Sequence, residues 1–253
     1  MTAVPAHARP PRSLSRPEVE FELIVPAFDE REGLPATVAA TLRFLARRPW
    51  SSAVVVVDDG VDAAPDCLDR FAASALGRAV GLHLLGCGDR GKGAAVRWGI
   101  ETSSARFVGF GGADNTTPVE ILDPVMELLR AGHGAVIASR HVPGARPAVE
   151  RGASRRGGGA TFRGPASLTL PEIADTRCGF TCFPGPLVRE ILRDCRIDGS
   201  ASDVGLLAHV VKAGHDVVAV PAGWTDPEGP TPSARRDGPR STAGLLRVAP
   251  AGW

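Results

Sequence analysis

The chain has 253 residues, of which 43% are hydrophobic and 23% charged, and this composition is typical of a folded globular domain. Its 29 Lys and Arg residues balance 28 Asp and Glu residues, and the formal net charge of +1 excludes the broad positive field of a nucleic-acid-binding protein. From this charge balance we expect no nucleic-acid partner. We also expect no transmembrane segment, since no apolar run reaches the roughly 18 residues that a membrane span needs.

Composition also indicates how the chain is divided. Residues 1–18 are rich in Pro and Arg, and residues 226–253 in Pro, Gly, Ser and Arg, so we expect both to be mostly disordered tails. Residues 19–225 are predicted to form a single domain, in which residues 142–170 lack an apolar period and are expected to be a mobile loop. The five scattered cysteines favour reduced thiols and a cytoplasmic location.

Strands and helices alternate along the predicted domain. In chain order the predicted elements are strand Phe21–Val25, helix Leu34–Leu45, strand Ala53–Val57, helix Pro65–Leu76, strand Val80–Leu85, helix Gly93–Thr102, strand Phe107–Phe110, helix Val119–Leu129, strand Ala135–Ala138, strand Thr176–Phe183, helices Pro186–Asp194 and Val204–Ala213, and strand Val217–Val220. The second strand is a run of apolar, mainly β-branched residues, typical of a strand buried on both faces of a parallel sheet. This alternation predicts an α/β fold with an open, mostly parallel twisted sheet and helices on both faces.

Charged residues and glycines follow the first five predicted strands. Asp58 and Asp59 come after the second strand, Lys92 after a glycine-rich segment behind the third, Asp114 after the fourth, and Arg140 after the fifth. In open α/β sheets ligands lie beyond the carboxyl ends of the strands. Carboxylates suit a hard cation, whereas cations and bare backbone suit phosphate oxygens, so the pattern predicts a site for a phosphorylated ligand with a metal.

Each of these features also has a purely structural interpretation when it is taken alone. Asp58-Asp59-Gly60 fits a turn with a helix cap, Lys92 fits a solvated helix end, and Asp114 fits the start of the next helix. Their shared position after successive strands favours the binding site.

The glycine-rich segment from Gly86 to Gly93 fits two other nucleotide motifs. A P-loop needs Ser or Thr after its lysine, but Gly93 follows Lys92. A dinucleotide-binding turn belongs after the first strand of the sheet, whereas two predicted strands precede this segment. Asp114 does follow at a suitable distance, so a nicotinamide-dependent oxidoreductase remains an alternative.

Seven short motifs, in order, resemble those of family 2 glycosyltransferases with the GT-A fold. They are Pro26–Glu30 (PAFDE), Val56–Gly60 (VVDDG), Gly91–Arg97 (GKGAAVR), Gly112–Asp114 (GAD), Ala138–Arg140 (ASR), Asp175–Phe180 (DTRCGF) and Trp224–Thr225 (WT). The set covers roughly residues 20–228 and is most similar to the dolichyl-phosphate β-glucosyltransferase and polyprenyl-phosphate glycosyltransferase branch of that family.

The resemblance implies an inverting transfer of a sugar, glucose or a related hexose, from a UDP-sugar. Asp114 would hold Mg²⁺ or Mn²⁺ on the diphosphate, and Asp203 would be the catalytic base, or would orient an acceptor that is already an ionised phosphate. The donor-binding residues that the resemblance implies are Pro26, Ala27, Glu30, Asp58, Asp59, Lys92, Ala113, Asp114 and Arg140.

The chain departs from the family pattern at three positions. Gly112 replaces the first aspartate of Asp-Ala-Asp, Gly205 replaces a glutamate after the candidate base, and Thr181 replaces a common lysine. One aspartate can still hold Mg²⁺, which keeps several of its waters. A catalytically silent relative that only binds a nucleotide sugar is therefore an alternative to an active enzyme.

The acceptor is the least constrained feature. Members of the resembling branch act at membranes on lipid phosphates, and arginines in residues 142–170 fit either that role or a solvated loop. Because membrane helices are not evident, we expect a small soluble acceptor, as in specialised-metabolite biosynthesis. The alternative is a polyprenyl phosphate, with the protein bound peripherally at the membrane surface.

Overall fold

A seven-stranded sheet forms the centre of the fold in the computed structural model, which describes residues 18–27, 33–58, 66–87, 91–113, 116–147, 173, 175, 179–195 and 202–224. The strands of this sheet are β1 (Phe21–Ala27), β2 (Ser52–Asp58), β3 (Leu82–Gly86), β4 (Phe107–Gly111), β5 (Ala135–Ser139), β7 (Phe180–Pro184) and β8 (Val217–Pro221). Two further strands, β6 (Arg146–Pro147) and β9 (Gly223–Trp224), pair in parallel as a separate small sheet.

Helices connect most of these strands. They are α1 (Leu34–Leu45), α2 (Asp66–Ala73), α3 (Ala75–Val80), α4 (Lys92–Thr102), α5 (Leu122–Ala131, entered through a 3-10 turn at Val119–Ile121), α6 (Gly185–Asp194) and α7 (Ser202–Lys212). None of the helices in the described part of the chain has both the length and the apolar character of a membrane-spanning segment.

The order of strands in the large sheet is β3-β2-β1-β4-β7-β5-β8. All neighbouring strands run parallel except β7, which lies antiparallel between β4 and β5. The predicted α/β fold with a mostly parallel sheet is therefore confirmed. Because β7 runs the other way, its amino end lies at the edge where its neighbours end, and Phe180 pairs with Gly111 there.

The helix predicted over Pro65–Leu76 is wrong in its length, because the chain forms two helices there. Ser74 adopts an extended conformation between α2 and α3, and its hydroxyl accepts a hydrogen bond from the backbone amide of Gly77 at 3.0 Å. This is an N-cap interaction, which starts a new helix. Val80 was predicted to begin β3 but ends α3, because Gly81 adopts a left-handed conformation (φ 83°) that terminates the helix.

The first residues of the segment that was expected to be a mobile loop contain β6, which pairs with β9 near the end of the described chain. Residues 1–17, 225–253 and most of 148–178 lie outside the described residues, and the expectations for the tails and the remainder of the loop fall there.

The hydrophobic core lies between the large sheet and the helices on its two faces. In β2 the four consecutive valines are completely buried, as the β-branched pattern predicted. On one face α4 packs against β1 so closely that a side chain on Gly99 would lie 2.7–2.8 Å from three side-chain atoms of Ile24. Gly99 therefore fixes how near α4 lies to the central strand.

We predict that Gly99→Ala lowers the free energy of unfolding by about 1–3 kcal/mol, the usual cost of overpacking, although alanine by itself favours a helix by about 1 kcal/mol. In an Ile24→Ala background, which lacks the three crowded atoms, the same substitution should be neutral or stabilising. Urea unfolding of the four proteins measures both effects. Equal destabilisation in both backgrounds would contradict this account of the α4–β1 contact.

Candidate functional site

The carboxyl ends of β1, β2 and β3 meet at one edge of the sheet. Asp58, the last residue of β2, pairs with Ala27 of β1 on one side and with Gly86 of β3 on the other. The backbone amide of Cys87 donates a hydrogen bond to the carbonyl oxygen of Asp58 at 2.9 Å, which extends the pairing past the end of β3. The parallel register thus places Pro26 and Ala27 beside Val57 and Asp58 at the ends of neighbouring strands.

The segment that follows β4 is held from two sides. The hydroxyl of Thr37, on α1, donates a hydrogen bond to the carbonyl oxygen of Ala113 at 2.7 Å. The amide of Gly112 donates to the carbonyl of Gly179 at 3.0 Å, just before β7. Buried hydrogen bonds of this kind fix backbone position, because breaking them leaves polar atoms unsatisfied. Ala113 is therefore anchored at the same edge as Asp58.

Three of the predicted site residues fall outside the part of the chain that the structure describes. They are Glu30, Asp59 and Asp114. Their roles stay predictions that depend on the sequence.

Lys92 and Asp203, which are 111 positions apart in the sequence, form an ion pair. The Lys92 Nζ atom lies 2.9 Å from Asp203 Oδ2, where α4 begins and where the first turn of α7 lies. The Lys92 side chain is 41% exposed, whereas that of Asp203 is 8% exposed. The same Nζ atom lies 5.7 Å from the centre of the Phe110 ring, near the carboxyl end of β4. The pair therefore belongs to the carboxyl edge of the sheet, and sequence reasoning assigned roles to both residues without predicting their contact.

The backbone before α4 explains how Lys92 reaches this position. Gly91 caps the helix with φ 87°, a conformation that residues with a side chain rarely adopt. Substitution there would strain the turn that directs α4 and its first residue, Lys92, toward Asp203.

Arg140 forms a second ion pair, with Asp175. The Arg140 Nε and Nη2 atoms each lie 2.8 Å from a different carboxylate oxygen of Asp175, and the Arg140 amide donates to Oδ2 at 3.1 Å. The Asp175 side chain is only 3% exposed. Its burial raises the pKa, but the hydrogen bonds and charge of Arg140 outweigh that effect and hold the pKa of Asp175 below its ordinary value.

Asp175 is a residue to which sequence reasoning assigned no role of its own. It lies in the Asp175–Phe180 motif, and the structure places it against the backbone and guanidinium that follow β5. The signal in the sequence is an aspartate a few residues before a strand together with an arginine directly after another strand. This arrangement favours an ion pair between the two. Arg140 thus fixes the position of the Asp175 carboxylate, in addition to any contact it makes with a ligand.

The described residues contain no group of three or more His, Cys, Asp or Glu side chains that could hold a metal ion. Asp175 and Asp203 each face a cationic side chain, and Asp58 is the last residue of the parallel strand β2. Mg²⁺ needs only one or two carboxylates when substrate phosphates and water complete its shell. Asp114, two residues after Gly112, fits that requirement by its place in the sequence.

Comparisons with known proteins agree on one family. A family model described as glycosyl transferase family 2 matches residues 22–192. A dolichyl-phosphate β-glucosyltransferase from Dictyostelium discoideum is 26% identical over 83% of this chain and 68% of its own length. The corresponding enzyme of Drosophila melanogaster is 28% identical over 84% and 69%. Glycosyltransferase AglD from Haloferax volcanii is 27% identical over 88% of this chain, but the chain spans only 36% of that protein.

Solved structures share the fold at lower identity. Glucosyl-3-phosphoglycerate synthase from Mycobacterium tuberculosis, solved with UDP, superposes with a TM-score of 0.65 at 16% identity, over 91% of this chain and 80% of that one. Mannosyl-3-phosphoglycerate synthase from Rubrobacter xylanophilus gives 0.60 at 18% identity, over 91% and 72%. These similarities confirm the GT-A fold.

We predict that Asp175→Asn lowers the free energy of unfolding at pH 7 by about 2–4 kcal/mol, because it leaves the mostly buried Arg140 without its charge partner. Since the folded-state pKa of Asp175 is depressed, its contribution is present above the unfolded pKa of about 3.9 and is lost as the pH falls through the folded value. The difference between the two proteins should therefore shrink below about pH 4.

Urea unfolding between pH 3 and pH 8 measures this difference. Glu101→Gln is the matched control, because it removes the exposed Arg97–Glu101 pair on α4 and should change stability by less than about 0.5 kcal/mol. A loss for Asp175→Asn that is as small as this control, or one that is equal at pH 3 and pH 7, would contradict the prediction.

Proposed function

The chain belongs to glycosyl transferase family 2, and on that premise we propose that it transfers a hexose from a UDP-sugar to a polyprenyl phosphate, with inversion at the anomeric carbon. The observation that carries the donor half of this proposal is the meeting of Asp58 and the Lys92–Asp203 pair at the carboxyl edge of one sheet. That edge is where open α/β sheets bind nucleotides.

The donor site would use the residues that the strand ends position. Asp58, with Asp59 beside it in the sequence, would bind the base and ribose, and Pro26, Ala27 and Glu30 would line the nucleotide pocket. Ala113 and Arg140 would complete the wall of this pocket. Lys92 supports the proposal most directly, because a partly exposed ammonium group at a helix start can approach phosphate oxygens. The solved relative from Mycobacterium tuberculosis binds UDP within the same fold.

A divalent cation would complete this site. Mg²⁺ or Mn²⁺, held by Asp114, would offset the charge that develops on the UDP leaving group. Structures of the Mycobacterium tuberculosis relative with Mg²⁺ or with Mn²⁺ support this choice of metal. Gly112 supplies no side-chain ligand, so the protein would contribute few oxygens and the diphosphate most of the rest.

The acceptor proposal changes the sequence-based expectation of a small soluble molecule. The dolichyl-phosphate β-glucosyltransferases match 83–85% of this chain, which favours a polyprenyl phosphate. The second pKa of a phosphate monoester is about 6, so its oxygen is already ionised at neutral pH and no proton has to be removed. Asp203 would then orient the reacting groups, whereas a hydroxyl acceptor would need it as a general base. Such an enzyme would act at the membrane surface.

The experiment that tests this function combines donor binding with transfer. We predict that UDP and UDP-glucose raise the melting temperature in the presence of Mn²⁺, whereas NAD and ATP do not, because the bound ligand stabilises only the folded state. Radiolabelled UDP-glucose should then yield a labelled lipid from a short-chain polyprenyl phosphate in detergent micelles.

The outcomes of this experiment separate the alternatives. Transfer to 3-phosphoglycerate or a sugar alcohol, without transfer to the lipid phosphate, would return the acceptor to the small soluble class. Stabilisation by UDP-glucose with no transfer and no donor hydrolysis would indicate a silent binding protein. Stabilisation by NAD and not by UDP would overturn the transferase proposal.

Asp203→Asn tests whether a proton is removed in the reaction. With a polyprenyl phosphate we expect kcat to fall by less than about tenfold, because the nucleophile is already ionised, whereas a hydroxyl acceptor would lose about 10²-fold or more. Steady-state kinetics with saturating donor measure the effect, and circular dichroism checks the fold. A loss of 10²-fold on the lipid phosphate would assign Asp203 as a base despite the ionised acceptor.

A further inference from the structure

The ion pair between Lys92 and Asp203 joins the donor side of the site to the acceptor side. In the proposed function Lys92 would bind the donor and Asp203 would face the acceptor, yet the Lys92 ammonium group donates a hydrogen bond of 2.9 Å to the Asp203 carboxylate. A donor diphosphate and the Asp203 carboxylate therefore compete for the same ammonium group.

The two helices make this pair electrostatically asymmetric. Asp203 lies in the first turn of α7, where the helix dipole stabilises a negative charge. Lys92 is the first residue of α4, where the dipole disfavours a positive charge, and the cap residue Gly91 offers no side chain to offset it. Asp203 thus has a favourable position without Lys92, whereas Lys92 depends on an anion beside it.

Exposure also differs between the two partners. The Lys92 side chain is 41% exposed and can reorient, since an ammonium group on a flexible stem has three donors and few geometric constraints. Asp203 is 8% exposed and fixed by its helix. The Phe110 ring, 5.7 Å from Nζ, offers the ammonium group a second stabilising contact that does not involve the carboxylate. An incoming anion would therefore displace the contact by moving the lysine.

We propose that Lys92 sets the order in which the two substrates bind. Its ammonium group pairs with Asp203 until the donor diphosphate binds that group instead, and only then can the Asp203 carboxylate interact with the acceptor. This inference rests on the proposed function, since it needs a nucleotide-diphosphate donor. Breaking the pair consumes part of the donor's binding free energy, and by linkage the donor weakens the hold of Lys92 on Asp203. Lys92 is thus a positioning residue for Asp203 as well as a donor ligand.

The coupling predicts an unusual result for donor affinity. Asp203→Asn should bind UDP about two- to fivefold more tightly than the original protein, which corresponds to the usual strength of a partly exposed ion pair. Lys92→Met should bind UDP more weakly. In the Lys92→Met background, Asp203→Asn should no longer change UDP affinity, because the residue that transmits the effect is absent.

Isothermal titration with UDP and Mn²⁺ on the four proteins measures this cycle. The Lys92→Met background is needed because removing any carboxylate near an anionic ligand also tightens binding by reducing repulsion. That direct effect would persist in the Lys92→Met background, whereas the effect transmitted by Lys92 would not. Lys92→Arg keeps the positive charge and should restore a gain from Asp203→Asn. Asp123→Asn is the matched control: it breaks the 2.7 Å Arg48–Asp123 pair just beyond the carboxyl end of α1, and should leave UDP affinity unchanged.

Two results would overturn the coupling alone. One is equal UDP affinity in the original protein and Asp203→Asn, and the other is an equal gain from Asp203→Asn with Lys92 and with methionine at that position. If the original protein and all variants fail to bind UDP or UDP-glucose, the proposed function falls together with the coupling.

Discussion

The parallel pairing of β1 with β2 and β4 is the constraint on which the candidate site depends. Because these strands end at the same edge, the residues that follow them lie side by side there although they are far apart in the sequence. The antiparallel strand β7 adds its amino end to this edge, and its neighbour Gly179 fixes the backbone of Gly112. The sheet thus fixes the backbone of these segments, and the backbone in turn positions their side chains.

Charge at this edge is largely compensated within the described residues. Two cation–carboxylate pairs, Lys92–Asp203 and Arg140–Asp175, connect elements that are distant in sequence. They differ in what they do. Arg140 and Asp175 are both mostly buried and form a bidentate contact, which suits a fixed structural role. Lys92 is exposed enough to exchange its partner, which suits a ligand-dependent one.

The replacement at Gly112 has a structural consequence besides the missing carboxylate. Its amide is used in the hydrogen bond to Gly179, so the turn after β4 keeps a defined backbone without the family's aspartate. The hydroxyl of Thr37 holds the next carbonyl. These two hydrogen bonds fix the backbone of Gly112 and Ala113 at the position where the chain departs from the family pattern.

The sequence by itself determined the α/β fold, because buried β-branched runs and apolar helical periods reflect local burial that each segment carries in its own residues. It also determined the family, through seven ordered motifs. Only the tertiary structure decided the contacts of Lys92 with Asp203 and of Arg140 with Asp175, since pairing between residues 111 and 35 positions apart depends on strand order and helix direction. The break at Ser74 was likewise decided by a cap hydrogen bond to the amide of Gly77, whereas the sequence predicted one continuous helix over Pro65–Leu76.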